Sequence, residues 1–391
     1  MTLKVTLQTL NIGIKKNKHD AVCLKLPSGS ITAMVTTKNK YAAAPVILSK
    51  KNLLKTPPKY LLINSGNANA CTGRLGAQNS LNCTKFLSKK LNCNPEEVLL
   101  FSTGVIGRQL PINDIKHKIA NNAFEFKSSW ESASKAIMTT DKFKKFYSKS
   151  FTLNNTKINI NAICKGAGMI EPNMATMLAF ICIDAKIKKS MLNKILKDIT
   201  DNSFNSISVD GDMSTNDSVV LISTGEKNKI DFLKNSKNYK MLVHELTLCC
   251  QKLSKMIIQD GEGATKVITI NIHKAKSNRE ARLIAYKLAN SNLIKTAMFG
   301  ADPNWGRIIA KLGSIENINY SPDKVQLKIN NILIFKNSIQ SNKCNLKLLN
   351  KLMKNKEVVI NLLLNSGNAS HSLITSDLTH EYVHINSAYT T

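Results

Sequence analysis

The chain has 391 residues, 43% of them hydrophobic, and carries 55 lysines and arginines against 26 aspartates and glutamates, a formal net charge of +29. That composition excludes a disordered chain and is enough for two or three packed lobes, and no run approaches the ~18–20 uninterrupted apolar residues of a membrane helix. The cations are mostly lysines scattered along the whole length, with arginine confined to Arg74, Arg108, Arg279, Arg282 and Arg307, which argues against specific nucleic-acid readout because that favours the bidentate guanidinium fork.

Residues 1–60 alternate apolar and polar positions and predict strands and hairpins, with no apolar signal core at the start, so the cytoplasm is the expected compartment. Tyr60-Leu61-Leu62-Ile63-Asn64 predicts a strand ending in the loop Ser65-Gly66-Asn67-Ala68-Asn69. Helical spacing of Leu75, Leu81, Phe86, Leu87 and Leu91 predicts a helix over 73–92. Val98-Leu99-Leu100-Phe101 predicts a short buried strand opening into Ser102-Thr103-Gly104. A helix is predicted over 111–138, beginning at Pro111 and Asn113, then alternation over 151–164. Helices over 188–206, 239–259 and 278–295 are separated by strands at 219–222 and 264–272. The final third mixes short strands with a helix near 345–354. This mixture of strands and helices is α/β or α+β.

The nine cysteines are odd in number, scattered, and without a Cys-x-x-Cys pair. A disulfide framework and a metal site are therefore not expected, and most of the cysteines are expected to be small buried hydrophobes.

Chemistry concentrates at Lys165-Gly166-Ala167-Gly168-Met169-Ile170-Glu171-Pro172-Asn173-Met174-Ala175-Thr176. Glycines, a proline and a lysine crowd the approach to one hydroxyl residue, the small Ala175 precedes it, and an apolar strand-like run follows. A chain that cuts its backbone before a threonine needs this arrangement. The freed threonine carries a hydroxyl nucleophile and an α-amine of pKa roughly 7.7–8 that serves as its own base. Taken alone, Thr176 reads more readily as an ordinary β-branched residue opening a strand. Ser102-Thr103-Gly104 after a buried strand has the composition of an oxyanion hole, or of a plain turn. Glu262 between Gly261 and Gly263 can reach into a cleft or cap a tight turn. Gly300 through Arg307, with one of two tryptophans, is expected chiefly to lock a turn through Asp302 and Arg307. The chain ends on small polar groups, His384-Ile385-Asn386-Ser387-Ala388-Tyr389-Thr390-Thr391.

Taken together these segments resemble the glutamate N-acetyltransferase family, also called ornithine acetyltransferase, of arginine biosynthesis. The resemblance runs nearly end to end. It rests on Ala43-Ala44-Pro45-Val46, Asn64 through Ala70, Ser102 through Gly107, Lys165 through Ile170, Met174 through Leu178, Asp210-Gly211-Asp212, Glu262 through Lys266, Ala301 through Arg307, and Asp377-Leu378-Thr379-His380. Two positions depart from it: Lys142 stands where the family usually has a threonine after Thr139-Thr140-Asp141, and Met213 replaces a threonine after Asp212.

The resemblance implies a layered α/β sandwich of the type shared with self-processing aminopeptidases, cut between Ala175 and Thr176 into an α chain (1–175) and a β chain (176–391). It implies Thr176 as nucleophile, Thr103 and Gly104 as the oxyanion hole, and Lys165, Thr176, Glu262, Asn386 and Thr391 as substrate contacts. The implied reaction moves an acetyl group from N2-acetyl-L-ornithine to L-glutamate through an acetyl-threonine. No metal, cofactor, membrane or nucleic acid is implied, and the assembly is a heterotetramer of two α and two β chains. Use of acetyl-CoA as co-substrate is left open. A related N-terminal-nucleophile aminopeptidase or amidase is the alternative, and a basic nucleic-acid-binding protein a more distant one.

Overall fold

The structure, a computed structural model, describes residues 4–171, 177–225 and 236–388. The elements in chain order are β1 (Thr6–Leu10), β2 (Ala21–Lys25), β3 (Ile31–Thr36), α1 (Ala44–Lys55), β4 (Tyr60–Asn67), α2 (Gly73–Leu91), β5 (Val98–Val105), α3 (Ile112–Asn121), α4 (Trp130–Ala136), β6 (Lys145–Leu153) and β7 (Thr156–Lys165). Then come β8 (Leu178–Ile183), α5 (Lys189–Asp201), β9 (Ile207–Ser208), β10 (Ser218–Ser223), α6 (Lys237–Gln259), β11 (Val267–Ala275), α7 (Asn278–Ala289), α8 (Asn292–Phe299) and α9 (Trp305–Gly313). The chain ends with β12 (Gln326–Ile329), β13 (Ile332–Lys336), β14 (Ile339–Gln340), α10 (Leu346–Leu352), β15 (Glu357–Leu363), β16 (Ala369–Ser376) and α11 (His380–Ala388). They form two compact units, Met1–Asn205 with Asp212–Ile257, and Ser206–Gly211 with Ile258–Thr390. Among the described residues no helix is long and apolar enough to cross a membrane.

The first unit is a sandwich of two sheets, ordered β1-β2-β4-β5 and β3-β10-β8-β7-β6. Alternation along each strand sends one set of side chains between the sheets. Val22, Leu24, Leu61, Ile63, Leu99 and Phe101 from the first sheet meet Ile163, Leu178, Phe180, Val220 and Ile222 from the second. Phe101 and Phe180 pack edge to face at 5.0 Å, a geometry that contributes roughly 0.5–1.5 kcal/mol beyond area burial. The outer face of the first sheet, through Cys23, Leu62, Val98 and Leu100, receives Cys83 and Leu87 of α2 and Ile115 and Ile119 of α3. On the second sheet α5 packs over β3 and β10, and the Cys164 thiol of β7 donates to the Leu253 carbonyl of α6 at 3.8 Å. This is a layered α/β sandwich.

The second unit is a mixed seven-stranded sheet, β14-β13-β12-β15-β11-β16-β9, with β11 parallel to β15 and antiparallel to β16. One apolar core joins it to α7, α8, α9 and α10, through residues such as Ile270, Ile284, Met298, Ile308, Leu349 and Leu373.

Several local differences from the sequence expectation have physical reasons. The helix expected over 111–138 is two helices, α3 and α4. Between them Phe126 takes a φ of +53°, its N–H donates to Gln8 Oε1 at 2.9 Å, and Ser129 caps α4 by accepting from the Ser132 N–H at 3.0 Å. The run 151–164 is a hairpin of β6 and β7, turned by Asn154 and Asn155, both left-handed at φ +45° and +60°, as asparagine permits. The helix expected over 278–295 breaks at Asn290, whose side-chain oxygen takes the Ser208 hydroxyl at 2.6 Å. Within 1–60, α1 was not anticipated; Pro45 in its first turn is the usual start signal. Six of the nine cysteines are buried.

Candidate active site

In the first unit the parallel strands β4 and β5 end side by side, with Ser65 opposite Thr103 and Gly66 opposite Gly104. The approach at the glycines is very close. A Cβ on Gly104 would lie 2.3 Å from the Gly66 carbonyl carbon and 2.5 Å from the Asn67 nitrogen, and its φ of +132° disfavours any side chain. Side-chain amides pin the strand end. Asn216 donates to the Ser102 carbonyl at 2.8 Å and the Ala68 carbonyl at 2.6 Å, and the Ser102 hydroxyl donates to Asn64 Oδ1 at 2.5 Å. Against this end lies Lys165, the last residue of β7, whose Nζ donates to Thr103 Oγ1 at 3.1 Å. Lys165 is only 9% exposed, so its ammonium sits in a site from which most water is excluded. The structure thus brings together three of the residues singled out in the sequence, Thr103, Gly104 and Lys165.

A buried charge network backs Lys165. Asp141 accepts from Lys145 Nζ at 2.6 Å and from the Gly166 N–H at 2.8 Å through Oδ1, and from the Thr139 N–H at 2.9 Å through Oδ2. Both side chains of the Lys145–Asp141 pair are fully shielded from solvent. Burial alone would raise the Asp141 pKa, but the Lys165 and Lys145 ammoniums and the bonds from Lys145 and Gly166 outweigh it and hold the carboxyl well below the carboxylate range. Removing one partner of such a pair typically costs about 3–5 kcal/mol. Lys15 lies alongside, donating to Ser65 Oγ at 2.7 Å and the Met138 carbonyl at 2.6 Å. Its pKa is lowered, first by burial and then by Lys165, with Asp20 and Asp141 opposing. Asp20 in turn accepts the N–H groups of Ile12, Ile14 and Lys15 at 2.6–2.8 Å, which folds the 11–15 loop into place.

In the second unit Asn386 of α11 donates to Glu262 Oε2 at 3.0 Å and to the Tyr382 carbonyl at 3.0 Å. The sequence pairs these two residues nowhere; the fold does. The turn carrying Glu262 packs directly on α11: a Cβ on Gly263 would fall 2.3 Å from the Tyr382 nitrogen. Thr379 Oγ1 donates to the Gly263 carbonyl at 2.7 Å. Asp377 accepts from the Thr265 and Lys266 N–H groups at 2.9 and 3.0 Å and from the Thr265 hydroxyl. Glu262 is buried, at 8% exposure. In the same unit Lys295, 3% exposed, donates to the Ser376 carbonyl and, at 3.2 Å, to Thr375 Oγ1. Burial pulls its pKa down to about 8, against the opposing pull of Asp377 and Asp210.

Ala175, Thr176 and Thr391 lie outside the described residues. Met177, directly after Thr176, is buried, its carbonyl accepting the Ser218 N–H at 3.0 Å. Leu178 is the partner of Lys165 in the antiparallel pairing of β7 with β8. Of the two departures from the family pattern, Lys142 is exposed while its neighbour Asp141 is buried. Met213 contributes backbone, bridging Ile170 and accepting from Asn39 Nδ2 at 2.9 Å. In the 300–307 turn Asn304 Nδ2 donates to Asp302 Oδ2 at 3.0 Å, while Arg307 reaches out of the turn to donate to the Leu293 carbonyl of α8 at 2.7 Å. Asp141, Lys15, Asn216 and Asp377 were not assigned from sequence; Asp377 stands inside a motif of the resemblance, whereas Lys15, Asp141 and Asn216 act on partners far along the chain. Among the described residues no group of three or more His, Cys, Asp or Glu is placed to hold a metal ion.

The ArgJ family profile matches residues 6–391. The chain is 41% identical to the arginine biosynthesis bifunctional protein ArgJ, mitochondrial, of Dictyostelium discoideum, over 98% of this chain and 91% of that one. It is 40% identical to the arginine biosynthesis bifunctional protein ArgJ of Lactococcus lactis subsp. lactis, over 96% and 93%. The crystal structure of the arginine biosynthesis bifunctional protein argJ from Bacillus halodurans is 35% identical with a TM-score of 0.52, and all of that chain is covered by 55% of this one. The chain therefore belongs to the ArgJ family and is an acyltransferase of arginine biosynthesis.

Proposed function

We propose that the protein cuts itself between Ala175 and Thr176 and then moves the acetyl group of N2-acetyl-L-ornithine to L-glutamate through an acetyl-threonine at Thr176. The observation that carries this reading is the Lys165–Thr103 contact beside Gly104, with Leu178 paired to Lys165 and Thr176 two residues from Leu178 along the chain. The Bacillus halodurans relative adds support: its entire length corresponds to 55% of this chain, the share that residues 176–391 make up.

In the cut, Thr176 Oγ attacks the Ala175 carbonyl, the peptide C–N bond breaks, and the nitrogen takes the hydroxyl proton. Water then hydrolyses the ester, leaving a carboxyl on Ala175 and the hydroxyl on Thr176. In catalysis the new amine takes the Oγ proton as Oγ attacks the acetyl carbon. The negative oxygen is received by Thr103 and the backbone at Gly104, with the Lys165 ammonium polarising the Thr103 hydroxyl. The acetyl–nitrogen bond breaks and ornithine leaves with the proton. The glutamate amine reverses the sequence and regenerates Thr176. Lys165 holds a substrate carboxylate, and Glu262 with Asn386 and Thr391 contacts the substrate, the carboxylate of Glu262 suiting the ornithine ammonium. The relatives' names call them bifunctional; we take the second activity to be acetyl transfer from acetyl-CoA to glutamate. The working assembly is a cytoplasmic heterotetramer of two α and two β chains.

Intact mass and N-terminal sequencing test the cut. Two chains are expected, the second beginning Thr-Met-Leu-Ala-Phe; one persistent chain of 43.2 kDa refutes it. Initial rates at varied acetylornithine and glutamate should give the parallel lines of a ping-pong reaction. Release of acetate independent of glutamate, or of amino acids from peptides, selects the aminopeptidase or amidase reading instead.

A further inference from the structure

We propose that Asp141 is a positioning residue for acetyl transfer, its buried carboxylate fixing Lys165 and the turn after it in the orientation that meets Thr103. This rests on the reading of Lys165 as a substrate contact. The Asp141 carboxylate holds the backbone next to Lys165. Its bond to the Gly166 N–H, 2.8 Å, holds the peptide directly after Lys165, while pairing with Leu178 holds Lys165 itself at the end of β7. With the backbone fixed on both sides, only side-chain torsions decide where Nζ goes.

Charge decides those torsions. The ammonium of Lys165 interacts electrostatically with Lys15 from the N-terminal loop and with Asp141, which accepts from Lys145 of β6. The thiols of Cys164 on β7 and Cys249 on α6 are pushed up by burial or by the neighbouring Cys250 thiol and stay neutral. Asp20 is the next carboxylate, and it is already committed to three backbone N–H groups. Neutralising Asp141 therefore leaves Lys15, Lys145 and Lys165 in a low-dielectric site without the carboxylate that balances them. Lys145 is fully buried and Lys15 is bonded to Ser65 and Met138. Lys165 meets Thr103 at 3.1 Å, and the lost balance of charge shifts it from that contact.

The experiment compares Asp141→Asn, Asp141→Asn with Lys145→Met, Lys145→Met alone, and Lys165→Met, each scored for thermal unfolding and for kcat and KM of the processed protein. Asp141→Asn is expected to lose both stability and about 10²-fold in kcat/KM, the penalty for misplacing a group by an ångström. The double variant removes the uncompensated Lys145 charge, so its Tm recovers. Its kcat/KM stays down by at least about 10-fold, because the carboxylate that balances Lys165 is still missing. Lys145→Met alone keeps the Asp141 carboxylate but strips its buried partner, so its Tm falls while its kcat/KM falls less than that of Asp141→Asn. If the double variant regains its rate along with its Tm, Asp141 is merely structural and the proposal is overturned. If Lys165→Met transfers acetyl normally, the reading of Lys165 itself fails, a result that the Asp141 variants do not mimic.

Discussion

Gly104→Ala probes the strand end that carries Thr103. The new methyl would sit 2.3 Å from the Gly66 carbonyl carbon and 2.5 Å from the Asn67 nitrogen. Both are backbone atoms, so no side chain can swing away. Restoring an ordinary contact of ~3.4 Å requires the ends of β4 and β5 to part by about 1 Å. A residue with a side chain held at φ +132° adds strain of order 1–3 kcal/mol. The stability loss is therefore expected to be about 1–3 kcal/mol, readable as a lower denaturation midpoint. The rate loss should be larger in proportion. A misplacement near 1 Å of groups that receive a developing oxyanion costs on the order of 10² in kcat, while ground-state contacts made elsewhere keep KM near the parent value. The assay is exchange of labelled acetyl between acetylornithine and glutamate, well below the unfolding temperature. A folded Gly104→Ala protein with kcat within about threefold of the parent would show that this strand end does not receive the transition-state charge.

Thr176→Ala should remain one chain and show no acetyl transfer; a second chain on a denaturing gel would place the cut elsewhere. Lys295, with its folded pKa lowered to about 8 from 10.5, binds fewer protons folded than unfolded between those values, so stability should rise with pH across pH 8 to 10.5. The full shift corresponds to about 3 kcal/mol, and Lys295→Met should flatten that slope in urea titrations; an unchanged slope refutes the assignment. Glutamate approaches a protein of formal charge +29 as an anion, whereas acetylornithine carries balancing charges. Raising salt should therefore lower kcat/KM several-fold for glutamate and little for acetylornithine, and equal responses would exclude steering. His371, its pKa lowered to about 4 by burial and by Arg282, loses stabilisation as pH falls from 6.5 toward 4, and His371→Gln should blunt that acid limb.

Much of this was legible in the sequence because local patterns carried it. The strands β4, β5, β8 and β10 are apolar runs with clear ends, and α2, α5 and α6 announce themselves by periodicity. Thr103 and Lys165 stood out because each is flanked by glycine. What was not legible depends on distance along the chain. Asp141 lies 25 residues from Gly166 and Asn216 lies 114 from Ser102, so nothing local tells their roles from those of any buried polar residue. The splits at 122–129 and at Asn290 were missed for a related reason: an apolar rhythm continues through Phe124 and Phe126, but those rings serve a returning extended segment that packs near Tyr60. The Asn154-Asn155 turn, by contrast, had a local signal that alternation on both sides concealed.

The proposed cut has a topological consequence that bears on mechanism. Residues before it supply β3, β6 and β7 of the five-stranded sheet, and residues after it supply β8 and β10, in the order β3-β10-β8-β7-β6. The later chain is thus enclosed by the earlier one on both sides, through β10 with β3 and β8 with β7. The inter-sheet core is equally shared, Phe101 from one chain against Phe180 from the other. Separation would open two ladders and the core together, so the proposed cleavage would free an amine without freeing a chain. That is what a threonine serving as its own base requires: the break must occur where the backbone on its far side is already held. Met177 is held through its carbonyl and Leu178 through its pairing with Lys165. The same strand that would tie the two chains together pairs at Leu178 with Lys165, the lysine that meets Thr103.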